Sequence, residues 1–330
     1  MTLTQKGGAM KKLLIGVLFI AAFAAPCVRA DLLVSSANTD QVLRYDATTG
    51  AFIDVFASGN GLTFPSGGLT FGPDGNLYTA SNNAGGGVWN VLRFNGTSGA
   101  FIDIFASGGG LRTGRGLVFG PDNNLYVGSE DTNQVLRYNG TTGTFINAFV
   151  SDVGSPRGLT FGPDGNLYVA RGNGTEIKRF DGLTGVFIDD FVDSDLNGPF
   201  DLTFGPDGKL YVSAEGTIDV RRYDGTNGDF IDSFASGGGL NIPRGVRVGP
   251  DGNLYVVSQE SDEVLRYNGV SGVFIDAFVP AGSGGLDGPR FMTFTPAAPP
   301  SAVPEPSTLL LLGSGLGGLG LWRRVRKARA

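Results

Sequence analysis

Arginine recurs in one setting along the chain: Arg115 in GRGL, Arg157 in PRGL, Arg244 in PRGV and Arg290 in PRFM. A guanidinium offers a planar fork of donors that holds carboxylate or phosphate bidentately, so four of them at one place would make an anion site. The competing reading pairs each arginine with an acid of the blades or leaves it solvated. Histidine is absent and Cys27 is the only cysteine. That excludes zinc sites built from His and Cys, Ser-His-Asp and Cys-His nucleophiles, and His general-base chemistry. Glu130, Asp131, Glu215, Glu260 and Asp262 sit in polar segments and have the oxygens for calcium, but they show no EF-hand or RTX-like spacing and their positions vary between repeats. No catalytic residue, metal or other cofactor is therefore assigned, and an enzyme is the less favoured class.

The arginines belong to a repeat. GLTFGPDGNLY ends at Tyr78 and Tyr168, GLVFGPDNNLY at Tyr126, DLTFGPDGKLY at Tyr211 and GVRVGPDGNLY at Tyr255. A second block (VLRY, VLRF, IKRF, VRRY) starts at Val42, Val91, Val135, Ile177, Val220 and Val264, and an FIDxF-like block follows each. In register, the arginine position holds Gly67, Arg115, Arg157, Phe200, Arg244 and Arg290. Each unit carries four short runs rich in Val, Ile, Leu, Phe and Tyr, separated by turn chemistry such as GPDG and NGTTG. The NGT triplets at Asn95, Asn139 and Asn173 are taken as such hairpin turns and not as glycosylation acceptors. Four strands per repeat of roughly 45 residues is the pattern of a propeller blade, and a four-stranded sheet covers both faces only against neighbours in a ring.

The expected fold is thus all-β, a six-bladed β-propeller of four-stranded antiparallel blades. Its phase predicts how the ring closes. The repeat opens at DLLVSS, a second run, and ends at FMTF, a first run. Blade 1 should take three strands from the N-terminal side and its inner strand from Phe291–Phe294, which leaves no strand unpaired. Inner strands converge on the axis, so the arginines could ring one mouth of the channel. The pattern P-R-G-L-x-F-G-P-D-G-N-L-Y-V followed by V-L-R-Y, over about residues 31–296, resembles the NHL-repeat propellers and, more loosely, gluconolactonase and streptogramin-lyase propellers. The gluconolactonase likeness implies an axial metal whose ligands have no matching positions here. The lyase likeness implies a histidine-dependent elimination that this chain cannot perform. Fold alone does not carry function.

The ends carry addresses. MKKLLIGVLFIAAFAAPCVRA, Met10–Ala30, has a basic start, an apolar stretch and a permissive cleavage site, so residues 1–30 are expected to be a secretory signal peptide cut after Ala30. Residues 31–296 form the propeller and 297–303 a Pro/Ala linker. Residues 304–330 hold Pro304-Glu305-Pro306, an apolar run Leu309–Trp322 and the basic Arg323, Arg324, Arg326 and Lys327. Fourteen helical residues reach about 21 Å against a hydrocarbon core of about 30 Å, and five are glycine. This tail resembles the PEP-CTERM sorting signal of Gram-negative bacteria. That resemblance implies an exosortase-type membrane protease as partner, transient insertion in the inner membrane, and delivery to the cell surface or extracellular matrix. Excluding residues 1–30 and 304–330, the chain holds 16 of its 25 basic and 30 of its 31 acidic residues, a net charge of −14. Such a domain is no partner for nucleic acid. The expected role is a surface binding or structural module for an extracellular polysaccharide or a surface protein. The alternative is a lactonase- or lyase-type enzyme working without histidine.

Overall fold

The computed structural model describes residues 30–82, 87, 89–193 and 195–296. Twenty-four strands pair into six antiparallel sheets of four. Blade 1 joins Pro289–Phe294 to Asp31–Ser36, Gln41–Asp46 and Phe52–Ser58. Blade 2 holds Leu69–Phe71, Leu77–Asn82, Trp89–Phe94 and Phe101–Ala106, and blade 3 Gly114–Phe119, Leu125–Ser129, Gln134–Tyr138 and Phe145–Val150. Blade 4 holds Pro156–Phe161, Leu167–Arg171, Ile177–Phe180 and Phe187–Val192. Blade 5 holds Pro199–Phe204, Leu210–Ala214, Asp219–Tyr223 and Phe230–Ser236, and blade 6 Pro243–Val248, Leu254–Ser258, Glu263–Tyr267 and Phe274–Val279. The first strand named in each blade is the inner one, and each inner strand touches the inner strands of both neighbouring blades around the full ring.

The closure is the one the repeat phase predicts. Asp31–Ser36 pairs with Gln41–Asp46 on one side and with Pro289–Phe294 on the other. The Asp31 amide donates to Thr295 Oγ1 at 2.7 Å, and the Thr295 amide donates back to the Asp31 carbonyl at 2.8 Å. The Phe291 amide donates to Ser35 Oγ at 3.0 Å.

One set of contacts explains why GPDG, LY, RY and FIDxF recur together. In blade 3, Tyr126 donates its hydroxyl to Asp122 of the GPD turn at 3.0 Å. Its ring meets Phe149 of the outer strand and Phe161 of the next blade edge-on, at 4.9 and 5.1 Å between centroids. Tyr78, Tyr168 and Tyr255 make the same three contacts in blades 2, 4 and 6. The arginine of the third strand grips the outer-strand acid from the other side: Arg93 forks onto Asp103 at 3.0 and 2.6 Å and lies over the Phe105 ring. Burial pushes the Tyr126 hydroxyl up to about 12, so it stays a donor at physiological pH. In these four blades the tyrosine bolts one blade to the next by ring packing while its hydroxyl remains satisfied.

Glycine serves close approach at two recurrent places. Gly143 lies at φ 72° in the turn before the outer strand of blade 3, and a Cβ there would overlap the carbonyl oxygen of Phe105 in blade 2. Gly116, just after Arg115, lets two inner strands meet near the axis, where a Cβ would run into the Arg157 carbonyl.

Candidate functional site

Antiparallel order decides which loops share an end of the propeller. If every inner strand runs away from one mouth, the link from second to third strand returns to that mouth. So does the link from the outer strand to the next blade. The start of each inner strand and the loop after each second strand are therefore neighbours, although 15 or more residues separate them in sequence. GPDG and the third-to-fourth-strand turns lie at the opposite end. Asn95 and Asn139 make those far turns, each accepting backbone amides two and three residues on. Asn173 departs from the expectation: it lies in the loop after the second strand of blade 4, at the arginine end.

Arg115, Arg157, Arg244 and Arg290 stand near the start of the inner strands of blades 3, 4, 6 and 1. The fold joins the first three through two shared glutamates from the loops after the second strands. Glu130 of blade 3 accepts from Arg115 Nε at 2.5 Å and, with its other oxygen, from Arg157 Nε at 3.1 Å and Ser155 Oγ at 2.8 Å. Glu215 of blade 5 lies 2.6 Å from Arg157 Nη1 and accepts from Arg244 Nη1. Arg244 also donates to Gln259 of its own blade. The pairing is partly within a blade, Arg115 with Glu130, and partly between blades. The arginines are paired with acids, but with acids that link blades 3 to 4 and 4 to 6, and only partly.

Two carboxylates serve four guanidiniums. Arg290 has no ion pair among the described residues; its guanidinium lies 4.9 Å over the Phe64 ring. Arg290 Nε and Arg115 Nη1 are buried and lack a hydrogen-bond partner, and Arg157 Nη1, though 2.6 Å from Glu215, makes an ion pair without hydrogen-bond alignment. Burial, and then the neighbouring guanidiniums, push Arg244 down to about 9 and Arg290 down to about 10. Both stay charged at neutral pH, at a free-energy cost that a bound anion would relieve. Burial raises Glu130, but the charge and hydrogen bond of Arg115, Ser155 and Arg157 outweigh it and leave Glu130 below its ordinary value.

Blade 5 breaks the arginine pattern, and the break builds the floor of the mouth. Phe200 stands where four blades have arginine. Arg244 lies 4.2 Å and Arg157 5.7 Å over its ring. Phe200 in turn packs on Phe291 of blade 1 at 5.0 Å between centroids, and both are 1% exposed. The next residue, Asp201, replaces the glycine found there in blades 3, 4 and 6. Its buried carboxylate accepts from the Val246 amide at 3.1 Å and from Arg247 Nη1 at 2.6 Å, tying blade 5 to blade 6. Burial pushes Asp201 up more strongly than Arg247 pulls it down. Sequence reasoning considered Glu130 and Glu215 for calcium and not as arginine bridges, and it gave Phe200 and Phe291 no role in the site. The signal for Phe200 was the one aromatic in the arginine position, PFD in place of PRG.

A depression of about 530 Å³ adjoins the cluster, lined by Asn173, Thr175, Asn197, Glu215 and Ile242. The calcium candidates do not converge. Glu130 and Glu215 hold arginines, Asp131 accepts from Thr113 Oγ1 at 2.7 Å, and Asp262 accepts from the Gly288 amide at 2.7 Å. Among the described residues no group of three or more His, Cys, Asp or Glu side chains could hold a metal ion. Pro304, Glu305, Pro306, Arg323, Arg324, Arg326 and Lys327 lie outside the described residues, as does the segment ahead of Ala30 that was expected to be a signal peptide; Ala30 itself is buried. Among the described residues no helix is long and apolar enough to cross a membrane.

The PEP-CTERM protein-sorting motif matches residues 302–327. This motif implies export and membrane-associated sorting in Gram-negative bacteria, with processing by exosortase, a membrane enzyme. No curated protein matches the chain. Among solved structures, a nidogen/laminin complex is similar at 17% identity and TM-score 0.62, over 82% of this chain and all of that one. A putative 6-phosphogluconolactonase from Bacteroides uniformis is similar at 17% identity and TM-score 0.53, over 81% of this chain and 99% of that one. A virginiamycin B lyase from Staphylococcus aureus, solved with quinupristin, is similar at 19% identity and TM-score 0.50, over 63% and 68%. At these identities the likeness is one of fold alone, a β-propeller.

Proposed function

We propose that the protein is an exported binding module of the cell surface or extracellular matrix, and that its arginine mouth holds acidic groups of an exopolysaccharide. The observation that carries this reading is the charge imbalance at the mouth. A domain of net −14 gathers four arginines at its axis and supplies them with two carboxylates. Buried guanidinium nitrogens without partners are costly, and an anionic ligand satisfies them. The sorting motif supports the location, since exosortase processing delivers a chain outside the cytoplasm. Residues 1–30 serve as the cleaved signal peptide in this reading.

Two measurements test it. The protein is expected to be retained on acidic exopolysaccharide without turnover. Arg157→Ala with Arg244→Ala should reduce retention at least tenfold; unchanged retention would remove the arginines from the function, and calcium-dependent hydrolysis of lactones would replace the binder with an enzyme. Mass spectrometry of the exported form should find the chain ending near Pro304. An intact Ala330 would contradict processing.

A further inference from the structure

The mouth has arginine walls and a closed floor. Phe200 in blade 5 and Phe291 in blade 1 are separated around the circumference by blade 6, so their ring contact at 5.0 Å runs through the axial space. Both rings are buried, and the guanidinium of Arg244 lies 4.2 Å over the Phe200 ring. A polymer chain therefore does not thread the ring past the arginines. What reaches them is a chain end or a small free anion. The charge to be met there is two: four guanidiniums less Glu130 and Glu215, with the open donors on Arg115 and Arg290.

We infer that the mouth is a blind cup for a terminal dianionic group on a glycan, such as a phosphate monoester or a sugar carrying two carboxylates, and that Arg290 is its principal free ligand. This rests on the anion-binding reading above and narrows it from acidic polysaccharide in general to the group at its end. A dianion neutralises both uncompensated charges of the cluster, whereas a single uronate leaves one. Burial and then the neighbouring guanidiniums lower the titration of Arg244 and Arg290, which agrees with cations held short of counter-charge.

Isothermal titration of the purified protein at constant ionic strength tests this. Glucose 6-phosphate and malonate represent the two sources of a dianion, and glucuronate and acetate the matched monoanions. At least one dianion should bind tenfold or more tighter than its monoanion. Intact polygalacturonate, whose acids are almost all internal, should displace it poorly per uronate. Arg290→Gln breaks no ion pair, so it should keep the wild-type melting curve and lose affinity at least tenfold, with Arg290→Lys restoring part. Equal binding of mono- and dianions, efficient displacement by polygalacturonate, or undiminished affinity in Arg290→Gln would each overturn the blind cup while leaving anion binding intact. Failure of every anion to bind would overturn both readings.

Discussion

Glu130→Gln is expected to move stability and anion affinity in opposite directions. Glu130 is 13% exposed and bridges Arg115 and Arg157 across the seam of blades 3 and 4. Neutralising it leaves Arg115 without a counter-charge and Arg157 with Glu215 alone. Breaking a buried ion pair from one side costs about 3–5 kcal/mol, and the amide retains part of the bonding, so a loss of about 2–3 kcal/mol is expected in urea unfolding at pH 7. The pH dependence follows from the direction of the Glu130 shift. A carboxylate held below its ordinary value of 4.5 in the folded state contributes stability above that value, and the contribution fades as pH falls through the folded-state value. The difference between wild type and Glu130→Gln should therefore be largest at neutral pH and shrink below about pH 4.5. Meanwhile the mouth gains one uncompensated charge, and affinity for malonate should rise at least threefold. A fall in affinity would show that Glu130 is needed to aim Arg115 and Arg157, and the competition between internal carboxylate and ligand would be discarded.

Removing the closing strand should have a still larger effect. A chain ending after Gly288 lacks Pro289–Phe294, the inner strand of blade 1. It exposes the backbone edge of Asp31–Ser36 and the sites of Phe291 and Met292, which are 1% and 0% exposed in the closed ring. Two such side chains contribute about 3–6 kcal/mol, before the strand hydrogen bonds are counted. A typical domain has about 5–15 kcal/mol in total, so this truncation should yield aggregated or unfolded protein. A chain ending at Pro296 should instead melt as the full propeller does, by circular dichroism and calorimetry. If the Gly288 truncation folds with an unchanged melting point, ring closure is not the source of stability. If the Pro296 chain fails, the tail does more than sort.

The repeat made most of the propeller legible. The unit of four apolar runs, six copies of the third-strand block and the offset between DLLVSS and FMTF determined blade count, strand order and the site of closure. Those features depend on contacts within a blade or between consecutive blades, and such contacts are encoded in periodicity. Arg115, Arg157, Arg244 and Arg290 were visible for the same reason: one position of the repeat fixes one height near the axis. The absence of histidine removed whole classes of chemistry without any structure. The PEP-CTERM motif was equally plain, because an exosortase meets it as a linear segment.

The tertiary structure alone decided what the arginines meet. Glu130 reaches Arg157 across 27 residues and Glu215 reaches Arg244 across 29, because alternating strands return those loops to the mouth where the next inner strand begins. No local pattern distinguishes them from Asp131 or Asp262, acids of the same loops that hold a hydroxyl and a backbone amide instead. Phe200 on Phe291 is further from sequence still. It joins blades that are not neighbours, and such a contact exists only because six blades close into a ring narrow enough for two aromatic side chains to meet at its axis. The sequence by itself thus determined the ring and its lining; the radius of the closed ring decided that the lining ends in a floor.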